Sequence, residues 1–171
     1  VCSNAFISFT PTDDPYANQP LPNTGAPENL LAVFWDDQIV DDSSGFEVYY
    51  HNDGEKMIVQ YNVRRIAQST PPYYSYQAWL YPNGNVMYVY NTVGTIDDSA
   101  TVGIQNATGD DGLMAVFNAE YVHDGLAVLF QAVPPWLSVS LDSGQLQNGE
   151  FEHVNVVMDA ANLEPGDHTG T

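Results

Sequence analysis

Leu30-Leu31-Ala32-Val33-Phe34-Trp35-Asp36-Asp37, followed at short range by Gly45-Phe46-Glu47-Val48-Tyr49-Tyr50, is the stretch that decides the fold class. A run of apolar strand formers stops at two acids, crosses a polar loop and restarts as an aromatic and β-branched segment. That pattern belongs to sheet and loop, not to helix. Outward from it, Gly, Pro, Asn and Asp interrupt the apolar pattern every few residues, so many short strands are expected. They fall at residues 5–10, 30–36, 46–51, 57–65, 74–81, 86–91, 100–105, 113–118 and 126–131. Alternation is clearest in Tyr76-Gln77-Ala78-Trp79-Leu80-Tyr81 and Val86-Met87-Tyr88-Val89-Tyr90, where successive side chains point to opposite faces. Asn83-Gly84 between them supplies the positive φ angles of a tight hairpin. Asn52-Asp53-Gly54-Glu55 joins the Tyr49-Tyr50 strand to the next in the same way. Two hairpins in series with no helix between them predict an antiparallel sheet packed on another sheet.

Two stretches depart from this pattern. Residues 11–28 carry Pro11, Pro15, Pro20, Pro22 and Pro27 among Asn, Asp and Thr, and proline cannot donate to a sheet ladder, so a long loop is expected there. It serves either as a contact surface or as a crossover between sheets. Val133-Pro134-Pro135 is a stiff boundary, after which Trp136-Leu137-Ser138-Val139-Ser140 starts a new pattern, and Asp142-Ser143-Gly144-Gln145-Leu146, His153-Val154-Asn155-Val156-Val157-Met158-Asp159 and Leu163-Glu164-Pro165-Gly166-Asp167-His168 read as opening strands of a second sandwich. Domains are therefore expected at 1–132 and 133–171. So few strands cannot bury two faces alone, which leaves the tail to pack on the first domain or to be completed by strands from elsewhere.

Composition bounds the partners. The 171 residues are 44% apolar, enough for a core, and 22 acids face three basic residues, Lys56, Arg64 and Arg65, for a formal net charge of −19. Such a field repels nucleic acid and anionic membrane surfaces, because phosphate binding needs Lys and Arg to displace counterions. It also suits a solvated surface in salty or alkaline surroundings. Cys2 is the single cysteine, so no internal disulfide forms. No run approaches the roughly 18 apolar residues of a membrane span, and membrane insertion is not expected. Val1 opens no signal peptide, and the chain reads as a processed or trimmed piece of a longer precursor.

Several motifs, in order, resemble the nidogen-like extracellular domain. They are Phe34-Trp35-Asp36-Asp37, Glu47-Val48-Tyr49-Tyr50, Gln60-Tyr61-Asn62-Val63, Tyr76-Gln77-Ala78-Trp79-Leu80 with Asn83-Gly84, and Ala100-Thr101-Val102-Gly103-Ile104-Gln105-Asn106. The tail is similar to the immunoglobulin-like modules of bacterial surface proteins through Pro135-Trp136-Leu137-Ser138-Val139-Ser140, Ser143-Gly144, Leu146 and Leu163-x-Pro165-Gly166-x-His168-x-Gly170. Leu141 stands where those modules often carry proline, and the strands that normally follow are absent. The resemblance implies an extracellular or cell-surface, non-catalytic, multi-domain setting. The fold expected is all-β: an antiparallel, jelly-roll-like β-sandwich followed by a partial immunoglobulin-like β module.

Motifs for chemistry are sparse. There is no Gly-x-Ser-x-Gly elbow, no His-Glu-x-x-His and no glycine-rich phosphate loop, and His51, His123, His153 and His168 stand singly. Paired acids fall in the expected loops, and Asp36, Asp37, Asp41 and Asp42, with Asp53 nearby, form the best candidate for calcium, which takes six to eight oxygen ligands. Asp36 has a structural alternative, a strand-end carboxylate that accepts backbone N–H groups from the next loop. Tyr74, Tyr76 and Trp79 are candidates for stacking on glycans or a partner, with ordinary cross-strand pairing as the alternative. Asn106-Ala107-Thr108 is a glycan acceptor sequence. The functional expectation is a structural or adhesion module of a larger surface protein, contacting neighbouring domains or identical subunits. The alternatives are a fibre subunit completed by strand donation at Trp136, Leu137, Val139, Val154 and Val156, and a carbohydrate-binding accessory domain of a secreted hydrolase.

Overall fold

The computed structural model describes residues 1–40, 45, 47–66, 73–93, 98–132, 137–140, 144–145, 147, 150–159 and 166. The chain divides into two compact units, Val1–Phe130 and Gln131–Thr171. The first holds β1 (Phe6–Ser8), β2 (Leu30–Trp35), β3 (Gln38–Ile39), β4 (Val48–Asn52), β5 (Met57–Arg65), β6 (Tyr74–Leu80), β7 (Val86–Thr92), β8 (Thr101–Gln105), β9 (Gly112–Phe117) and β10 (Ala127–Phe130). Each expected strand is present; residues 57–65 match as expected, and the ends of the others differ by one or two residues. The two-residue β3 is added, and it is too short to leave an apolar pattern. No helix occurs among the described residues.

All pairings are antiparallel. β1-β2-β8-β9 form a smaller sheet and β10-β7-β6-β5-β3 a larger one, with β4 also on β5. β4 to β7 run as a meander, because Gly54 (φ 93°) and Gly84 (φ 89°) supply the left-handed residues that close the two tight hairpins. The inward residues of both sheets form one core.

β2 explains how the sheets are held. All six of its residues are buried, so both of its faces are covered. The N–H groups of Val33 and Phe34 both donate to the Ala5 carbonyl, at 3.1 Å each, and the ladder with β8 shifts register between Ala32 and Trp35. This bulge turns Val33 and Phe34 inward together and rotates Trp35 to the outside with Leu30 and Ala32. Tyrosines of the larger sheet cross the core to the smaller one. Tyr90 donates to the Val33 carbonyl in the bulge, and Tyr88 donates to the Gly103 carbonyl at 3.0 Å, where β8 and β9 also slip register. Tyr76 donates to Gln38 Oε1. Each hydroxyl thus has a partner, as burial requires.

The proline-rich residues 11–28 contain no strand and lie as a belt across the outer face of the smaller sheet. Trp35 Nε1 donates to the Pro15 carbonyl at 2.8 Å, Thr101 Oγ1 to Gln19 at 2.9 Å and Gln105 Nε2 to Pro27 at 2.8 Å. Asn18 Nδ2 returns a bond to the Ser99 carbonyl at 2.8 Å. Proline has no N–H to satisfy, so the belt meets the sheet mainly through carbonyls that accept from side chains. Leu21 and Ala26 of the belt pack with Phe6, Leu30, Ala32 and Trp35 as a second apolar cluster. Gly103 is required here, because an added Cβ would stand 2.6 Å from the Leu113 carbonyl and 3.2 Å from Leu21 Cδ1.

In the second unit, β11 (Leu137–Val139) pairs antiparallel with β12 (Val156–Met158), matching Leu137 with Met158 and Val139 with Val156. Of the four tail segments expected to open strands, residues 136–140 and 153–159 hold β11 and β12, residues 144–145 are not in a strand, and residues 163–168 lie outside the described residues except for Gly166. Trp136 lies outside the described residues.

Candidate functional site

Over the outer face of the larger sheet no belt lies among the described residues. Its ladders align side chains into rows. His51, Ile58, Trp79, Met87 and Leu129 stand in register across five strands, and Tyr49, Gln60, Gln77, Val89 and Ala127 form the next row. Ile58, Trp79, Met87 and Val89 are half-buried, Leu129 is 52% exposed, and none of them joins either apolar cluster. The amides are bonded to one another. Trp79 Nε1 donates to Gln77 Oε1, Gln77 Nε2 to Gln60 Oε1 at 2.7 Å, and Gln60 Nε2 to Asn62 Oδ1 at 2.9 Å. Lys56, from the β4–β5 hairpin, places its ammonium 4.9 Å from the centre of the Trp79 ring. It also pairs with Asp53 at 2.7 Å, a bond that raises the Lys56 pKa and lowers that of Asp53. None of the outward side chains of β4 to β7 and β10 is a carboxylate.

This geometry separates the aromatic trio named from the sequence. Tyr74 and Tyr76 are buried, ring to ring with Phe34 at 5.5 and 5.6 Å, whereas Trp79 lies on the opposite face. The three offer no shared stacking surface. Residues an odd number apart on a strand face opposite ways, and that parity already divided 74 and 76 from 79. Ile58, Met87 and Leu129, which sequence reasoning missed, carried the same signal once the hairpin register was fixed.

Among the described acids, Asp36 and Asp53 stand apart. Asp36 is buried at the end of β2, where Oδ2 meets Arg65 at 3.1 Å and Ser99 Oγ at 2.8 Å, and Oδ1 accepts the Asp37 N–H at 2.8 Å. The bond from the Asp37 N–H is of the kind the structural alternative names, whereas those to Arg65 and Ser99 come from side chains. Asp53 sits at the Met57 end of β5 and Asp36 at the Arg65 end, about 25 Å apart at about 3.3 Å per residue. Asp41 and Asp42 lie outside the described residues. Among the described residues no group of three His, Cys, Asp or Glu is arranged to hold a metal ion. Asn106 is exposed in the β8–β9 hairpin, with its amide donating to Asp110 at 2.8 Å and Thr108 at 3.0 Å. Cys2 donates to Asp14, and burial, then that bond, pushes the thiol up to about 12. Protonated, it is a poor nucleophile.

Beside the open face, the two sheets part around a cleft of about 570 Å³ lined by Leu31, Leu80, Val86, Ile104 and Leu113. The first unit is therefore an open antiparallel β-sandwich whose smaller sheet is covered outside by the belt over β1, β2 and β8, with Met114 on β9 left 43% exposed, and whose larger sheet keeps half-buried to exposed residues on its outer face. The family described as NIDO related matches residues 1–123, and the chain belongs to this nidogen-related family. Its domains are in general extracellular parts of larger proteins and are not known as enzymes. Neither the curated proteins nor the solved structures gave a match to the chain. The immunoglobulin-like resemblance of the tail lies beyond the matched residues and rests on its motifs and on β11 and β12.

Proposed function

We propose that the chain is a non-catalytic structural or adhesion module of a larger surface protein and works through the open face of its larger sheet. One observation carries this reading: a belt covers much of one outer face, while the other keeps an apolar row, Ile58, Trp79, Met87 and Leu129, half-buried to exposed in a chain of net charge −19. Contiguous apolar surface that a soluble domain leaves exposed marks an interaction site. The protonated Cys2 and the separate positions of His51, His123 and His153 agree with a role in contact rather than in chemistry. Immunolabelling of intact source cells tests the location. Label on unpermeabilised cells is the expected result, and label that appears only after permeabilisation rejects it.

A second reading, a fibre subunit completed by strand donation, has its own support. On β12 both faces are exposed, with Val156 at 56% and Val157 at 53%, and Val154 precedes them at 48%. A strand added at such an edge would pair its N–H and C=O groups and cover those side chains. Negative-stain imaging decides. Filaments shortened by Val156→Asp support it, and monodisperse particles at every concentration dispose of it.

A further inference from the structure

We infer that the free edge of β4 accepts an extended segment of a different polypeptide, one that alternates apolar with basic residues, as an added antiparallel strand of the larger sheet. The site is the backbone at the rim of that sheet and is separate from its outer face. The Glu47 carbonyl accepts the Asn62 N–H at 3.0 Å and the Asp53 N–H donates to the Lys56 carbonyl at 3.3 Å, so in this register Tyr49 and His51 also turn their backbone groups to β5. Val48, Tyr50 and Asn52 turn theirs away, and no hydrogen bond from the described residues reaches those N–H and C=O groups. The ladder of β4 with β5 has no register shift, and the strand holds no proline, lysine or acid, the devices that blunt an exposed edge. The edges of the smaller sheet are blunted: the Cys2 N–H takes the Phe6 carbonyl beside β1 at 3.0 Å, and β9 slips register against β8.

The surroundings specify the occupant. Tyr50 stands in an inward row with Val59, Ala78 and Tyr88, which are at most 4% exposed, yet Tyr50 is 80% exposed. β1 lies over β5, where Tyr61 Oη donates to the Phe6 carbonyl at 3.4 Å, and no strand among the described residues continues the smaller sheet beyond β1 to face β4. Paired donors and acceptors at every second residue, about 6.8 Å apart, match an extended backbone rather than a glycan. An added strand sets apolar side chains beside Val48 and Tyr50 on the inner side and basic ones beside Tyr49 and Glu47 on the other, and the net charge of −19 attracts a basic segment. A second copy fits badly. The two-fold register that uses all three free residues places Tyr50 on Tyr50, which sets Glu47 of one copy against Asp53 of the other, and like charges directly opposite destabilise a ladder.

Residue-resolved amide hydrogen exchange on the full chain tests this, with an end-blocked synthetic peptide of about eight residues alternating valine and lysine as the probe. The expected result is that the Val48, Tyr50 and Asn52 amides exchange about tenfold more slowly at about 1 mM peptide, while those of Tyr49 and His51, already bonded to β5, change less. In the antiparallel register the valines of the peptide turn their N–H groups to β4, so N-methylating the valines is expected to abolish the protection and N-methylating the lysines to leave it, at identical charge. Tyr50→Pro, which removes an outward N–H and no bond to β5, is expected to abolish it while the circular dichroism spectrum stays unchanged. Absence of protection at about 1 mM peptide overturns the inference. So does protection that persists with the valine-methylated peptide, which would be attraction of charge alone. Protection that rises with protein concentration and needs no peptide also overturns it and assigns the edge to a second copy. None of these outcomes alters whether intact cells are labelled, so failure at the edge is separable from failure of the surface-module reading.

Discussion

The two sheets of the first unit are secured differently. The smaller sheet is gripped on both faces: tyrosine hydroxyls reach it from inside at Val33 and Gly103, and the belt closes it from outside over Phe6, Trp35 and Leu21. The larger sheet is held on its inner face, and its outer rows stay half-exposed. The same period-two alternation runs through both, so the pattern alone does not say which outer face is free. What decides it is whether another segment supplies a cover. The smaller sheet should therefore carry the stability of the fold, and the outer face of the larger sheet should tolerate change.

Alkali tests the inner grip and should have the largest effect. Burial raises the pKa of Tyr61, Tyr76, Tyr88 and Tyr90 well above the ordinary value of 10. A folded-state pKa above the unfolded one gives stability that is complete below about pH 10 and lost as the pH rises further. Four such groups cost together about 5 kcal/mol at about pH 11, so unfolding should be cooperative just above pH 10.5. Ultraviolet titration of tyrosine alongside circular dichroism checks this. Smooth ionisation of all eleven tyrosines near pH 10 without unfolding would show that the inner grip is absent.

Trp35→Ala tests the outer grip. Trp35 is 1% exposed, packs edge-on to Phe6 at 5.8 Å and ties the belt through Pro15. Its loss should cost about 3–5 kcal/mol in urea unfolding, within the range for large buried aromatics. Trp79→Ala on the open face should cost under about 1.5 kcal/mol, since that ring is half-buried. Equal costs would erase the contrast between the faces. Tyr90→Phe should fall between, at about 1–3 kcal/mol, because it leaves the Val33 carbonyl buried without its donor.

Much of this was legible in the sequence. The hairpins at Gly54 and Gly84 followed from residues that accept positive φ, and the strands followed from alternation. The belt left a trace as well. Residues 30–35 are apolar without alternation, and a strand that does not alternate needs cover on both faces. The identity of the cover stayed hidden, because residues 11–28 bury little more than Leu21 and Ala26 and are anchored by Ser99, Thr101 and Gln105, some eighty positions away. The bulge at Val33 and Phe34 was equally silent, since two adjacent apolar residues look the same whether or not both face inward. Asp53, offered as a neighbour of Asp36, stands at the opposite end of β5 because Asp36 pairs with Arg65, a separation that spacing along the chain does not reveal; Asp41 and Asp42 lie outside the described residues.

The smallest effect is also the sharpest test of the contrast. Leu129 stands at the edge of the open face on β10, 52% exposed and outside both cores. An aspartate there gives up partial apolar burial and meets no buried acceptor. Leu129→Asp should therefore change the unfolding free energy by no more than about 0.5 kcal/mol, the usual range for surface positions. Phe130, the next residue, points the other way, is 7% exposed and packs against Tyr88 at 5.2 Å. Phe130→Ala should cost about 3 kcal/mol or more. Two neighbours on one short strand thus differ several-fold solely by the face they present. A similar loss for both would mean that the outer face of the larger sheet is covered in solution, and the surface free for contact would have to be sought elsewhere on the module.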